Sequence, residues 1–355
     1  MINLKEKIKN LPLSPGIYLM KDSTGSIIYV GKAKILKRRV QSYFYQSKNH
    51  SPKVMKLVQQ VKDFDIIPTD TEFEAFMLEC QYIKEIKPFF NSLMKNPLSY
   101  VYISINMNSS LPEIVITNEA IESDGFSCFG PYTNKNTVKR AIEGINECYK
   151  INCSMPANQG SSCLNYSLDL CIGMCHGGMA INLHREIMGK IVTLFAGTNM
   201  KILEDLKQRM AIASENCQFE AAVKWRDSIN AIQSLIHKEH IIQFTEENNY
   251  IVAAEPLNPN TIKLFLIYRN QILLGKKCLL KNIDLEILKK EIKNQIHSHN
   301  SHTHKTSRNE IDEATIIYHY LKNSSCRFFI IPGNGIQQED ELDEKLFQLL
   351  SKGKI

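Results

Sequence analysis

The sequence predicts a multidomain α+β protein, and three observations carry that reading. Two short apolar strands bracket a tight polar turn near the N-terminus. Residues 199–240 form a strongly helical stretch without glycine or proline. Beyond residue 245, strand-like and helix-like patterns alternate, as in a small α/β unit.

With 355 residues, the chain has room for two or three domains. Its 43% hydrophobic and 23% charged residues, with few Gly and Pro, suit packed cores rather than disorder. No apolar run reaches the ~20 residues that span a bilayer. The N-terminus, Met1 to Lys7, has no apolar signal core, so the expectation is a cytoplasmic protein with no membrane partner. In a reducing compartment ten cysteines favour a metal or cluster reading over structural disulfides.

Residues 1–60 hold twelve Lys or Arg, from Lys5 through Lys32, Lys48 and Lys56, against two acids, Glu6 and Asp22. Such a local excess suits a polyanion, whose phosphates release counterions when neutralised, and equally a solvated basic face.

Four segments emerge. Residues 1–95 read helix, hairpin, helix, strand, helix. The strands Gly16–Lys21 and Ser26–Lys32 flank the turn Asp22-Ser23-Thr24-Gly25, and a basic helix runs from Ala33 to Tyr45. A third strand covers Asp63–Pro68, and Thr71 caps a helix from Glu72 to about Ile86, with Glu74 at the capping-box position. Residues 96–195 read as irregular and cysteine-rich. Residues 199–240 read as a helical hairpin, and 245–355 as the α/β unit, with strands Tyr250–Ala254, Ile262–Arg269 and Arg327–Pro332 and helices near 284–296, 310–323 and 339–351.

If the hairpin strands pair about Ser23-Thr24, Tyr18 falls opposite Tyr29, and Tyr18, Met20, Ile27 and Tyr29 share a face. Two phenols beside Gly31 and Lys32 suit proton transfer near a phosphate; they also suit ordinary cross-strand packing. Glu79 lies three residues after Phe76 and four before Ile83, along an apolar helical stripe. A carboxylate there is costly unless paired or bound to a cation, and magnesium often takes only one or two protein carboxylates. A satisfied boundary glutamate is the plain alternative.

Gly16-Ile17-Tyr18, Tyr29-Val30-Gly31-Lys32, Arg39, Glu79 and Asn91, in that order, resemble the signature of GIY-YIG nucleases. The surrounding text, LPLSPGIYLMKDSTGSIIYVGKAKILKRRVQSYF and TDTEFEAFMLECQYIKEIKPFFN, is similar to the N-terminal half of the UvrC family, the incision subunits of bacterial nucleotide excision repair, and to the shorter Cho.

That resemblance implies a small three-stranded antiparallel sheet flanked by helices and a set of roles. Glu79 would hold one Mg²⁺ or Mn²⁺. Tyr29 would be the general base on water, with Lys32 easing loss of a proton that ordinarily titrates near pH ~10. Arg39 would clamp a phosphate oxygen, Tyr18 would orient water or phosphate, and Gly31, Tyr43 and Asn91 would support them. The implied product is a nick on the 3′ side of a lesion in double-stranded DNA.

Cys153, Cys163, Cys171 and Cys175 form a second constellation. Their spacing lacks the paired CxxC knuckles usual for zinc, so an iron–sulfur cluster competes with zinc and with four free thiols. CLNYSLDLCIGMC is similar to the cysteine-rich region of the family, which implies a 4Fe–4S cluster. It departs from the family pattern at Met174, where proline is usual, and at Ile151-Asn152 and Ser161-Ser162, where arginine is usual. Cys128, Cys148 and Cys217 read as packing residues, and FGPYTN at 129–134 matches the family without an evident chemical role.

In the third segment Leu203, Leu206, Met210, Ala213, Phe219, Ala222, Ile229 and Ile232 make an interrupted apolar stripe. Phe219, Glu220, Ala222, Arg226 and Asp227 resemble the UVR motif, through which the family engages a like motif on UvrB. Residues 245–355 resemble the following region weakly. The chain stops at Ile355 before any match to the family's RNase H-like and helix-hairpin-helix domains, so the expectation is one incision, not two. The run His297, His299, His302, His304 reads as a polar loop or a metal site. Two classes of function follow: a single-cut endonuclease recruited by UvrB, or an adaptor that binds UvrB or DNA without cutting.

Overall fold

The structure, a computed structural model, describes residues 4–44, 51–153, 162–299, 305–333 and 339–351. Tyr45, Lys48, Ser161, His302 and His304 lie outside the described residues. The chain forms two compact units, residues 1–96 together with 244–355, and residues 97–243.

Residues 4–96 begin with α1 (Leu4–Lys9), followed by strands β1 (Gly16–Lys21) and β2 (Ile27–Ala33). Asp22 shapes the turn between them, its Oδ1 accepting the Thr24 N–H at 2.8 Å. Helices α2 (Leu36–Phe44) and α3 (Pro52–Gln60) lead to β3 (Asp63–Pro68) and α4 (Glu72–Ile86). The three strands form an antiparallel sheet in the order β2-β1-β3, as expected. The predicted capping box is present: Thr71 Oγ1 accepts the Glu74 N–H at 3.1 Å, and Glu74 Oε2 accepts the Thr71 N–H at 3.1 Å. The basic helix is shorter than predicted, starting at Leu36.

The hairpin register differs from the expected one. Tyr18 sits opposite Gly31, Met20 opposite Tyr29 and Lys21 opposite Ile27, with an irregularity between Met20 and Lys21. Such a bulge inserts one residue and reverses the face of everything beyond it. Ile28 therefore joins Tyr18, Met20, Tyr29 and Phe64 in one core, while Ile27 joins Ile17, Leu19 and Val30 on the other face.

That other face is covered by α4 through Ala75 and Ile83. The opposite side of α4 is also buried. Phe73 and Cys80 pack against Ile251, Phe265, Ile317 and Tyr320 of the C-terminal segment, with Phe73 stacked on Tyr320 at 3.9 Å.

Residues 96–195, expected to be irregular, carry regular elements among the described residues. Strands β4 (Val101–Asn106), β5 (Ile114–Thr117) and β6 (Phe126–Tyr132) form a sheet in the order β5-β4-β6. Helices α5 (Lys135–Tyr149), α6 (Leu164–Ser167) and α7 (Met179–Phe195) follow, then the hairpin α8 (Lys201–Glu215) and α9 (Phe219–Glu246). VYISIN is rich in β-branched residues and buries almost completely, so the strand was readable. The FGPYTN segment ends this sheet: Gly130 N–H donates to the buried Glu239 Oε1 at 2.6 Å, and Asn134 caps α5.

Leu203, Leu206, Ala213, Ile229 and Ile232 of the hairpin are buried, and Leu203, Leu206, Ile229 and Ile232 share one core with the cysteine-rich segment. Phe219 does not belong to the buried stripe. It opens α9 at the hairpin tip, beyond the core, and is 66% exposed. Cys217 is likewise no packing residue: it is exposed at φ 58 in the hairpin turn.

The C-terminal segment has β7 (Tyr250–Asn258), β8 (Thr261–Tyr268), β9 (Gln271–Leu279), α10 (Leu285–Ser298), α11 (Ile311–Asn323), β10 (Arg327–Ile331) and α12 (Glu339–Ser351). Its antiparallel sheet runs β10-β7-β8-β9 and is buried on both faces, so β8 has no exposed residue. The sequence reading lacks β9. His297 ends up on α10, and the His299 ring packs 4.6 Å from that of Tyr268. Among the described residues no helix is long and apolar enough to cross a membrane.

Candidate active site

Three tyrosines meet on the β1–β2 face. Tyr18 comes from β1, Tyr29 from β2 and Tyr43 from α2, with ring centroids 6.1, 5.8 and 6.3 Å apart pairwise. The hydroxyls of Tyr18 and Tyr43 are 2.9 Å apart. Arg39 lies one helical turn before Tyr43, and its Nη2 donates to the Tyr43 hydroxyl at 3.2 Å. Sequence reasoning gave Tyr43 only a supporting place; its i+4 spacing from Arg39 was the signal that it shares the same face.

Gly31 makes this cluster possible. A Cβ there would lie 2.3 Å from the Tyr18 hydroxyl and 2.9 Å from the Tyr29 ring. Asn91 fixes the same strand from outside, its Oδ1 accepting the Val30 N–H and its Nδ2 donating to the Val30 carbonyl, both at 2.9 Å.

Glu79 projects from α4 toward the end of β2. Its Oε1 accepts the Lys32 backbone N–H at 3.0 Å, and among the described residues Oε2 takes no hydrogen bond. Burial raises the pKa of this carboxyl, offset in part by the Lys32 N–H and by the charges of Lys32 and Arg39. A half-buried carboxylate with one oxygen spare fits a divalent cation that brings most of its own water.

Tyr29 holds its proton tightly. Burial comes first, then the neighbouring Tyr43 and the negative charge of Glu79, all raising its pKa. The Lys32 ammonium, expected to ease that proton off, is engaged elsewhere. It pairs with Glu72 Oε1 at 3.1 Å and lies 4.2 Å from the centre of the Phe76 ring. Strand alternation puts Lys32 on the face opposite Tyr29 and Gly31, over α4 and away from the phenols.

In the second unit, Cys153, Cys163 and Cys175 bring their sulfurs within 4.8 Å of one another. Cys171 is buried nearby but outside that three-sulfur group, its Sγ accepting the Gly173 N–H at 3.3 Å. Cys163 caps α6 by accepting the Tyr166 N–H at 3.3 Å. Such N–H donors favour thiolates, so the donor set fits a thiolate-bound metal centre.

Glu220 and Arg226 on the hairpin are exposed, Ala222 and Asp227 half-buried, and Arg226 donates to Asp227 Oδ1 at 2.9 and 3.1 Å.

Three family descriptions match consecutive stretches: "UvrC-like GIY-YIG domain" over residues 14–92, "UvrC/Cho excinuclease, middle domain" over 100–194 and "UvrB/uvrC motif" over 201–235. The chain is similar to UvrABC system protein C of Acetivibrio thermocellus, 38% identical over 283 residues, covering 78% of this chain and 45% of that protein. The Clostridium tetani protein of the same name is 39% identical over 279 residues, with 77% and 45% covered. The chain thus spans less than half the length of these relatives. Among solved structures, the GIY-YIG N-terminal endonuclease domain of UvrC from Thermotoga maritima, bound to magnesium, is 34% identical, with 26% of this chain and 99% of that chain covered and a TM-score of 0.24. The chain is thus UvrC-like over residues 14–235, with an N-terminal domain of the UvrC GIY-YIG type.

Proposed function

We propose that this protein is a metal-dependent DNA endonuclease that makes a single-strand incision on the 3′ side of a lesion during nucleotide excision repair. The observation that carries this reading is Glu79. A half-buried carboxylate is held by one backbone N–H with its second oxygen spare, within electrostatic reach of Tyr29 and Arg39.

Glu79 is the residue that would hold Mg²⁺ or Mn²⁺, which supplies positive charge to polarise the phosphate and to make phenol deprotonation near neutral pH accessible. Arg39 presents an exposed guanidinium to a phosphate oxygen while its Nη2 anchors it to Tyr43. Tyr29 takes the proton of the attacking water. Tyr18, held by Tyr43, orients that water or the phosphate. Lys32 contributes its backbone N–H and a charge that favours the ionised form of Glu79. The basic residues of the N-terminal segment supply attraction for the DNA backbone.

The cysteine set would hold a 4Fe–4S cluster, with zinc as the competing metal. Phe219, Glu220, Ala222, Arg226 and Asp227 at the tip of the hairpin would dock a like hairpin of UvrB, and the exposure of Phe219 supports this. The four segments 1–95, 96–195, 199–240 and 245–355 would act as nuclease, cluster, docking and accessory regions.

The test is nicking of a damaged duplex by purified protein with UvrB and Mg²⁺, beside Glu79→Ala and Tyr29→Phe. Cutting by the wild type alone is expected. Equal cutting by the variants would overturn the site, and binding without any cutting would favour the adaptor.

A further inference from the structure

The helix that carries Glu79 is fastened at both ends to the C-terminal segment. At its start, Lys263 of β8 is only 8% exposed and places Nζ 2.8 Å from Asp70 Oδ2 and 2.8 Å from Glu74 Oε1. Glu74 divides its oxygens: Oε1 faces Lys263, while Oε2 accepts the backbone N–H groups of Asp70 and Thr71 at 3.2 and 3.1 Å. Lys277 of β9 adds a second cation on Asp70, at 3.0 Å. Near its end, Lys84 pairs with Asp312 and Glu313 of α11. Between these clamps, Phe73 and Cys80 sit in a core shared with β7, β8 and α11.

A buried ammonium survives only when its charges are matched, and here both carboxylates belong to the cap of α4. A helix is stiff, and Glu79 lies five residues past Glu74, about 7.5 Å along the axis. Where the cap is seated therefore decides where the Glu79 carboxylate meets the Lys32 N–H.

We infer that Lys263 is a positioning residue for the active site, and that β8, β9 and α11 form a brace that sets the cation-binding height of Glu79. The inference rests on the assignment of Glu79 as the cation ligand. It gives the accessory C-terminal segment a specific task in the incision.

The full chain carrying Lys263→Met is compared with wild type and Lys263→Arg, reading Mn²⁺ affinity by electron paramagnetic resonance and hydrogen exchange at the Lys32 amide. Lys263→Met is expected to bind Mn²⁺ roughly tenfold more weakly, as for other changes behind a metal ligand. Its Lys32 amide should exchange faster, its DNA KM should hold while kcat falls at fixed Mn²⁺, and Lys263→Arg should restore all three. Unchanged Mn²⁺ affinity and unchanged Lys32 exchange in a folded Lys263→Met protein would overturn the brace. Should that variant fail to fold, Asp70→Asn at the more exposed edge of the cluster is read by the same two signals. Absence of Mn²⁺ binding in the wild type would overturn the Glu79 assignment instead, and Lys32 exchange would still decide whether the brace acts on the helix.

Discussion

The backbone N–H of Lys32 donates to Glu79 Oε1 at 3.0 Å, tying the end of β2 to a residue of α4 that lies 47 positions further along the chain. Burial makes this carboxylate expensive, and its native pKa lies above that of an unfolded glutamate. A raised native pKa contributes stability that is present below the unfolded value and lost as pH rises through the native one. Glu79→Gln, which mimics the protonated form, should therefore melt higher than wild type at neutral pH, with the gap closing in acid. Calorimetry at two pH values checks this. The same variant should lose Mn²⁺ binding and nicking, and wild-type binding should fall away above the usual glutamate range as pH drops.

The tyrosine triangle separates base from scaffold. Tyr29→Phe should lower kcat by roughly 10²–10⁴, the range for a lost general base, with little change in DNA affinity. Tyr43→Phe removes the hydroxyl that touches both Tyr18 and Arg39. Its loss should be smaller, about tenfold, and should raise KM as Arg39 loosens. Single-turnover kinetics with both variants would discriminate; equal effects would count against the division of roles.

Gly31→Ala places a methyl 2.3 Å from the Tyr18 hydroxyl. Tyr18 is 1% exposed and has no room to retreat. Overpacking of this kind costs about 1–3 kcal/mol, and activity should fall with it. A denaturant melt and a nicking assay test both halves.

Asn91→Ala removes two hydrogen bonds to Val30 and leaves its N–H and carbonyl without their partner. A loss of about 2–3 kcal/mol is expected, measurable by urea unfolding.

For the cysteine set, Cys163→Ser and Cys175→Ser should each strip the metal and its colour, because both sulfurs lie in the converged group. Elemental analysis for iron and zinc decides the metal. Retention of a full metal load by Cys171→Ser would show that three sulfurs suffice.

Much of this was legible from residues. Thr71 and Glu74 announced the start of α4 because a capping box is a local device, complete within four residues. The pairing of Tyr18 was misread because a bulge beyond Met20 depends on how both strands pack, and no turn residue reports it. The Lys32 ammonium, however, was legible: it stands three residues after Tyr29 on one strand, so alternation alone puts it on the opposite face. The second buried face of α4 was invisible because its partner strands lie more than 170 residues away. Phe73 and Cys80 looked like ordinary helix residues until Phe265 and Tyr320 were set against them. The 101–132 sheet, by contrast, was a missed pattern rather than a missing one.

Of the ten free cysteines, all among the described residues, Cys217 alone is exposed. It stands at the bend of the hairpin, two positions before Phe219, while Cys153, Cys163, Cys171 and Cys175 are buried or half-buried. A brief maleimide treatment should therefore attach a fluorophore at that bend ahead of every other thiol. The intact wild-type chain thus comes with its own handle for watching a second protein arrive.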